Sequence, residues 1–193
     1  MWSIIQDDKV AMPYVDVLIE LAKLHILKGA DFVRQLKMLA GMNIFKPVEN
    51  EKDIFAADGA HSEDMAALMD AARKAVTHGN KVYILPNPQG VRTADFIFES
   101  KGVYKMYDLK TIQGKSSVID RLMGSIGQTN HVLLNMATDY NARLLAKDIS
   151  TYFRINPDAF EVLVYKGTKS ILVKRKAALD KSFVKMFMFA YYK

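Results

Sequence analysis

The 193 residues contain no cysteine, which excludes a disulfide-stapled scaffold, thiolate chemistry and any cysteine-based zinc site. Proline is scarce, at five residues. There is no repeat and no low-complexity tract. With half the chain apolar, a real core is expected and disorder is not. No stretch of ~20 uncharged apolar residues exists, so no transmembrane helix and no membrane partner are expected. The most apolar early run, Tyr14 to Leu27, is broken by Asp16, Glu20 and Lys23. Asp7 and Asp8 stand where a signal peptide would be basic, so no cleavable leader is expected either.

The net charge of +6 is unevenly spread. Residues 1–60 carry 7 Lys/Arg against 9 Asp/Glu, whereas residues 61–193 carry 20 against 12. A basic larger part joined to a mildly acidic arm suggests a polyanion-facing surface, or else an ordinary solvated basic face. The length suits one domain, or one domain with an added arm.

Apolar spacing predicts helices over 14–28 and from Asp31 to Leu39, with 42–60 an irregular connection. From Ser62 onward the pattern alternates. A helix is expected to His78, then strands over Lys81–Leu85, Val91–Glu99 and Val103–Thr111. A helix over Lys115–Thr129 and a buried strand over His131–Met136 follow. Next come a helix over Asn141–Phe153 and a hairpin over Phe160–Lys174 turning at Gly167-Thr168. The expected fold is α/β, a central mixed sheet flanked by helices, with residues 1–60 as a helical arm and 61–193 as the main domain.

The informative stretch is ADFIFESKGVYKMYDLK, residues 94–110. With a two-residue turn at Lys101-Gly102, Ser100 pairs with Val103 and Asp95 falls opposite Asp108. Directly opposed residues share a face with Cβ atoms ~4.5–5.5 Å apart, and Lys110, two residues on, shares that face. Opposed carboxylates repel unless a cation lies between them, and a divalent ion is the natural occupant. It would polarise a phosphate oxygen and activate a water, with Lys110 holding that water or offsetting charge on phosphorus. A one-residue slip would separate the acids. The alternative is a pair of ordinary strand-edge acids matched to Lys110 or Arg92.

The run LPNPQGVRTADFIFES…VYKMYDLKT resembles the core of PD-(D/E)xK nucleases, and is especially similar to the C-terminal nuclease domains of contact-dependent growth-inhibition and related polymorphic toxins. The parts that carry the resemblance are Glu63 opening a helix, Leu85-Pro86, Arg92-Thr93-Ala94-Asp95, Asp108-Leu109-Lys110, and Gln128 before the strand 131–136. They span roughly residues 61–137. Ala94 stands where proline is commoner, and Asp108 where these toxins often have glutamate. The resemblance implies a restriction-endonuclease-like core and a metal-dependent endonuclease. Asp95, Asp108 and Glu63 would be ligands of Mg²⁺ or Mn²⁺, with Zn²⁺ an alternative, Lys110 the catalytic lysine and Gln128 an accessory group. It favours RNA, particularly tRNA, over DNA, an acidic immunity protein as partner, and action in the cytoplasm of a target bacterium. For Glu63 a helix-dipole acid is the competing role, for Gln128 a plain polar position, and Asp64 competes with Glu63.

His25, His61, His78 and His131 show no metal-ligand spacing. Two further classes stay open: a metal-independent ribonuclease using His61 or His131 with Lys110, and a non-catalytic nucleic-acid-binding module. Met186-Phe187-Met188-Phe189 is expected to pack in the interior.

Overall fold

The computed structural model describes residues 12–24, 27–60, 64–87, 93–114 and 117–193, with side chains of the first helix from residue 16. The elements are α1 (Met12–Leu24), α2 (Gly29–Ala40), β1 (Phe45–Pro47), β2 (Ile54–Ala57), α3 (Met65–Thr77), β3 (Lys81–Ile84), β4 (Phe96–Ser100) and β5 (Val103–Ile112). They continue as α4 (Val118–Met123), β6 (His131–Met136), α5 (Ala142–Ile155), β7 (Glu161–Lys166), β8 (Lys169–Lys174), α6 (Arg175–Ala178) and α7 (Phe183–Tyr192).

Local sequence explains most of these. In α5, Ala142, Leu145, Ala146, Ile149, Tyr152 and Phe153 are buried on one face, the stripe a 3.6-residue period produces. Asn141 closes its N-terminus, its side-chain oxygen accepting from Leu144 N at 3.0 Å. In β6, every residue after His131 is buried, as expected for a strand covered on both faces.

Among the described residues, the eight strands form one mixed sheet in chain order β1 to β8. β2–β3, β5–β6 and β6–β7 are parallel, and the other neighbours antiparallel. Each parallel pair is joined through a helix: α3, α4 and α5 respectively. The expected α/β sandwich is therefore the observed one.

Three apolar clusters cover the sheet. One face meets α3 through Leu68, Ala72, Phe96, Phe98 and Tyr107. The other face carries two clusters side by side. Helices α1 and α2 lie over Ile97 and Met106, and α4, α5 and α7 lie over Ile112, Val132, Leu134 and Val164. On β5, residues 106, 108, 110 and 112 point the same way. Met106 belongs to the first of these clusters and Ile112 to the second. Asp108 and Lys110 fall in the gap between them.

Four expectations need correction. Residues 42–60 hold β1 and β2, which extend the sheet rather than merely connecting. Their turn uses Asn50 and Asp53 at φ 59° and 60°, the left-handed region asparagine and aspartate tolerate. The helix expected over 115–129 ends at Met123, because Gly124 caps it and Gly127 sits at φ 86°. The helix expected from Asp31 to Leu39 begins two residues earlier, at Gly29, with Asp31 in its first turn. In α7, Phe187 is buried, but Met186 and Phe189 are about two-thirds exposed, at 66% and 65%.

Candidate active site

The β4–β5 hairpin sets the site. Lys101 (φ 51°) and Gly102 (φ 78°) make the two-residue turn, with positive φ at both central positions as a type I′ turn needs. Glu99 Oε1 accepts from Gly102 N at 2.7 Å. The register runs from Ser100↔Val103 to Phe96↔Tyr107, the alignment read from the sequence. β5 then changes partner. From Asp108 to Ile112 it pairs with β6, and β4 has stopped.

Asp95 lies one residue before β4 begins. Its backbone N–H donates to Tyr107 O at 3.0 Å and its carbonyl accepts from Leu85 N at 2.8 Å. Its carboxylate Oδ2 accepts from Leu109 N at 2.6 Å, satisfying a strand edge that β4 has vacated. This fixes the Asp95 carboxyl beside that of Asp108, and the two are in hydrogen-bonding contact. Lys110 Nζ is 3.2 Å from Asp108 Oδ1 and 2.9 Å from Oδ2. Gln128, with its amide nitrogen turned to the acceptors around it, donates to Asp108 Oδ1 at 2.7 Å and to Thr93 O at 3.3 Å.

Asp108 is nearly sealed, its side chain 2% exposed against 18% for Lys110. Its Oδ2 is buried and forms no hydrogen bond; the contact with Lys110 has ion-pair distance without hydrogen-bond alignment. Burial pushes the Asp108 carboxyl up to about 7, with Lys110 opposing and the charge of Asp95 adding to the rise. Burial also raises Asp95, against the Leu109 N–H that favours its charged form. Two carboxyls held together out of water disfavour the doubly ionised state.

These residues line an open cleft of about 480 Å³, which also receives Asp64 and Ala67 from the start of α3, and Arg121 from α4. The structure therefore brings together Asp95, Asp108, Lys110 and Gln128. Glu63 lies outside the described residues, as does His61. Asp64, its competitor, reaches the cleft. His131 does not line the cleft: it stands between Tyr107 and Phe160 on a neighbouring groove. In the sequence, Arg121 is one of several basic residues that recur along the expected helices, with Lys115, Arg143, Lys147 and Arg154. What signals it is its place on the short crossover helix directly after β5.

A divalent cation fits this donor set. Two carboxylates converge, one keeps a buried oxygen without a hydrogen bond, and both are driven toward protonation when only protein surrounds them. Among the described residues there is no group of three His, Cys, Asp or Glu able to hold a metal ion.

No family model matches the chain, and neither does any curated protein. Among solved structures, a chain of the "CdiA-CT/CdiI toxin and immunity complex from Burkholderia pseudomallei" is similar over 67% of this chain and 92% of that one. The identity is 13% and the TM-score 0.40. A likeness of that size leaves the function to be argued from the side chains.

Proposed function

We propose that this chain is a metal-dependent nuclease hydrolysing phosphodiester bonds, with RNA, and tRNA in particular, as the substrate that the sequence resemblance favours. One observation carries the reading. Asp95 and Asp108 meet with Lys110 at the point where β5 changes partner, in a cleft open to solvent.

Asp95 and Asp108 would hold the cation, with Glu63 the third carboxylate that the sequence motif supplies. When bound, the ion polarises a non-bridging phosphate oxygen and makes a bound water more acidic. The chain's own groups do the rest. Gln128 donates to Asp108 Oδ1 and so leaves Oδ2, which forms no hydrogen bond, as the oxygen that would meet the ion. Lys110, the amine nearest the pair, orients the attacking water or offsets negative charge growing on the phosphoryl oxygens. Arg121 at the cleft wall meets a flanking phosphate. Water oxygen adds to phosphorus, the bond to one ribose oxygen breaks, and that oxygen leaves with a proton. The excess of 20 basic over 12 acidic residues in 61–193 suits a polyanion.

In the biological setting that the resemblance suggests, the protein is a toxin of a bacterial competition system neutralised by a small, acidic immunity protein. Among the described residues, no helix is long and apolar enough to cross a membrane.

The test is incubation of the protein with total tRNA and with plasmid DNA, in Mg²⁺ or Mn²⁺ and in EDTA, beside Asp108→Ala. Metal-dependent cleavage by the wild type is expected. The variant should be inactive yet show an unchanged circular-dichroism spectrum. Cleavage that persists in EDTA would favour metal-independent chemistry, and an active Asp108→Ala protein would overturn the assignment.

A further inference from the structure

Beside the acidic cleft lies a larger groove of about 670 Å³. One wall is the N-terminal arm, with Leu24 and Phe32. The floor is the Tyr104–Met106 stretch of β5, and the far wall is the 127–131 loop with Phe160. The groove exists because of the partner change in β5. Residues 103–107 pair with β4 on one side, while β6 joins the other side only from Asp108. Thr93 and Gln128 line both the groove and the cleft, so the two cavities adjoin.

The groove differs in chemistry from the cleft. A ladder of rings leads outward to it, Phe98–Tyr107 at 4.9 Å, Tyr107–His131 at 5.7 Å and His131–Phe160 at 5.3 Å between centroids. It ends at Phe160, which is 58% exposed. A phenyl ring left in water but braced from behind offers a flat apolar face at little further ordering cost. The nearest amine on the floor, Lys105, is already committed. Its Nζ lies 2.8 Å from both carboxylate oxygens of the buried Glu161. The floor is thus suited to an uncharged flat ring, while exposed Asn130 lines the groove with donor and acceptor atoms.

Building on the nuclease reading, we infer that this groove holds an unpaired nucleobase of the substrate strand, stacked on Phe160 and next to the phosphate bound in the cleft. Aromatic stacking accepts any base, so the site selects strand state more than sequence. A base locked in a duplex cannot enter. The arm, through Phe32, then forms part of the substrate site.

The experiment changes Trp2, the sole tryptophan, to Phe and Phe160 to Trp, so that position 160 alone emits. Short single-stranded oligoribonucleotides and their deoxy counterparts are titrated in EDTA, beside the same sequences as duplexes and as abasic strands. Quenching by single strands, of either sugar, and not by duplex or abasic chains is expected. In anisotropy titrations Phe160→Ala should weaken single-strand binding about 5- to 150-fold, and Phe160→Tyr should restore it. Equal quenching by abasic strands or duplex, or unchanged affinity in Phe160→Ala, would overturn the inference. The two readings separate cleanly. Wild-type protein that cleaves, with KM for unpaired substrate unmoved by Phe160→Ala, removes the groove alone. Base-dependent quenching in a protein that cleaves nothing removes the nuclease reading alone.

Discussion

Gln128 and Lys110 touch the same carboxylate but have different jobs, and substitutions can tell them apart. Gln128 donates to Asp108 Oδ1 at 2.7 Å, so on the proposed reading it would set the direction of a ligand without meeting the phosphate itself. Gln128→Leu should weaken divalent-ion binding about 10- to 100-fold, the usual effect of removing such a supporting hydrogen bond. Cleavage should recover at saturating metal, and Gln128→Glu should not rescue it, because it adds a third negative charge beside two carboxyls. Terbium luminescence, compared with cleavage at several Mn²⁺ concentrations, reads both quantities. Lys110→Ala removes an amine 2.9 Å from Asp108 Oδ2. It should lower kcat about 10²- to 10⁴-fold with metal affinity kept or raised, since a competing cation has gone. If both variants showed the same fall in metal affinity and the same kcat, the division of roles would be wrong.

At the scale of elements, the site depends on one turn. Gly102 sits at φ 78° with open space where a Cβ would be added, so the barrier to substitution is backbone conformation rather than collision. Gly102→Val should cost about 1–2 kcal/mol, or roughly 2–8 °C in Tm for a chain of this size. Activity should fall further than stability alone explains, because a slipped hairpin separates Asp95 from Asp108. Lys101→Asn, which suits φ 51° better, should raise Tm slightly and leave cleavage intact. A Gly102→Val protein with lowered Tm but full activity at low temperature would mean that the register is held elsewhere. This hairpin was readable in advance because period-2 alternation flanks a Lys-Gly pair, so strand parity alone put Asp95, Asp108 and Lys110 together. Other elements were not readable. β1 and β2 are three and four residues long, too short for a periodic signal, and gain their identity only from the neighbours they pair with. The early end of α4 depends on Gly124 and Gly127, yet it is this end that leaves Gln128 on a loop able to reach Asp108. The solvent-facing side of α7, with Met186 and Phe189, is set by which face meets α5, information that no local window holds.

For the whole molecule, the carboxylate pair links stability to pH and, on the proposed reading, to metal. Burial raises the folded-state Asp108 carboxyl to about 7 from an ordinary value near 3.8, so the folded protein holds that proton more tightly than the unfolded chain does. The contribution of Asp108 to stability is therefore full below about pH 4 and is lost as pH rises through about 7; Asp95 shifts in the same direction. His131 acts in the opposite sense. Burial lowers it, so its contribution is present above about pH 6.5 and is lost as pH falls. Comparing wild type with Asp108→Asn isolates the carboxylate from such background titrations. In EDTA, the variant should gain on the wild type between pH 5 and pH 8 by up to about 2.7 kcal/mol, because about two pH units of that rise fall in this range. A divalent cation that binds the ionised pair should reverse this. At about a hundred times its Kd it adds about 2.7 kcal/mol, and this should appear as a Tm increase of roughly 5–11 °C for the wild type at pH 8. The increase should be small at pH 5, where the cation must displace a proton, and absent in Asp108→Asn. Melts of both proteins at the two pH values, with EDTA and with Mn²⁺, decide it. Parallel pH profiles in EDTA would mean that the acids are paired well enough by Lys110 alone. A metal-induced shift of equal size at pH 5 and pH 8 would place the cation somewhere other than between Asp95 and Asp108.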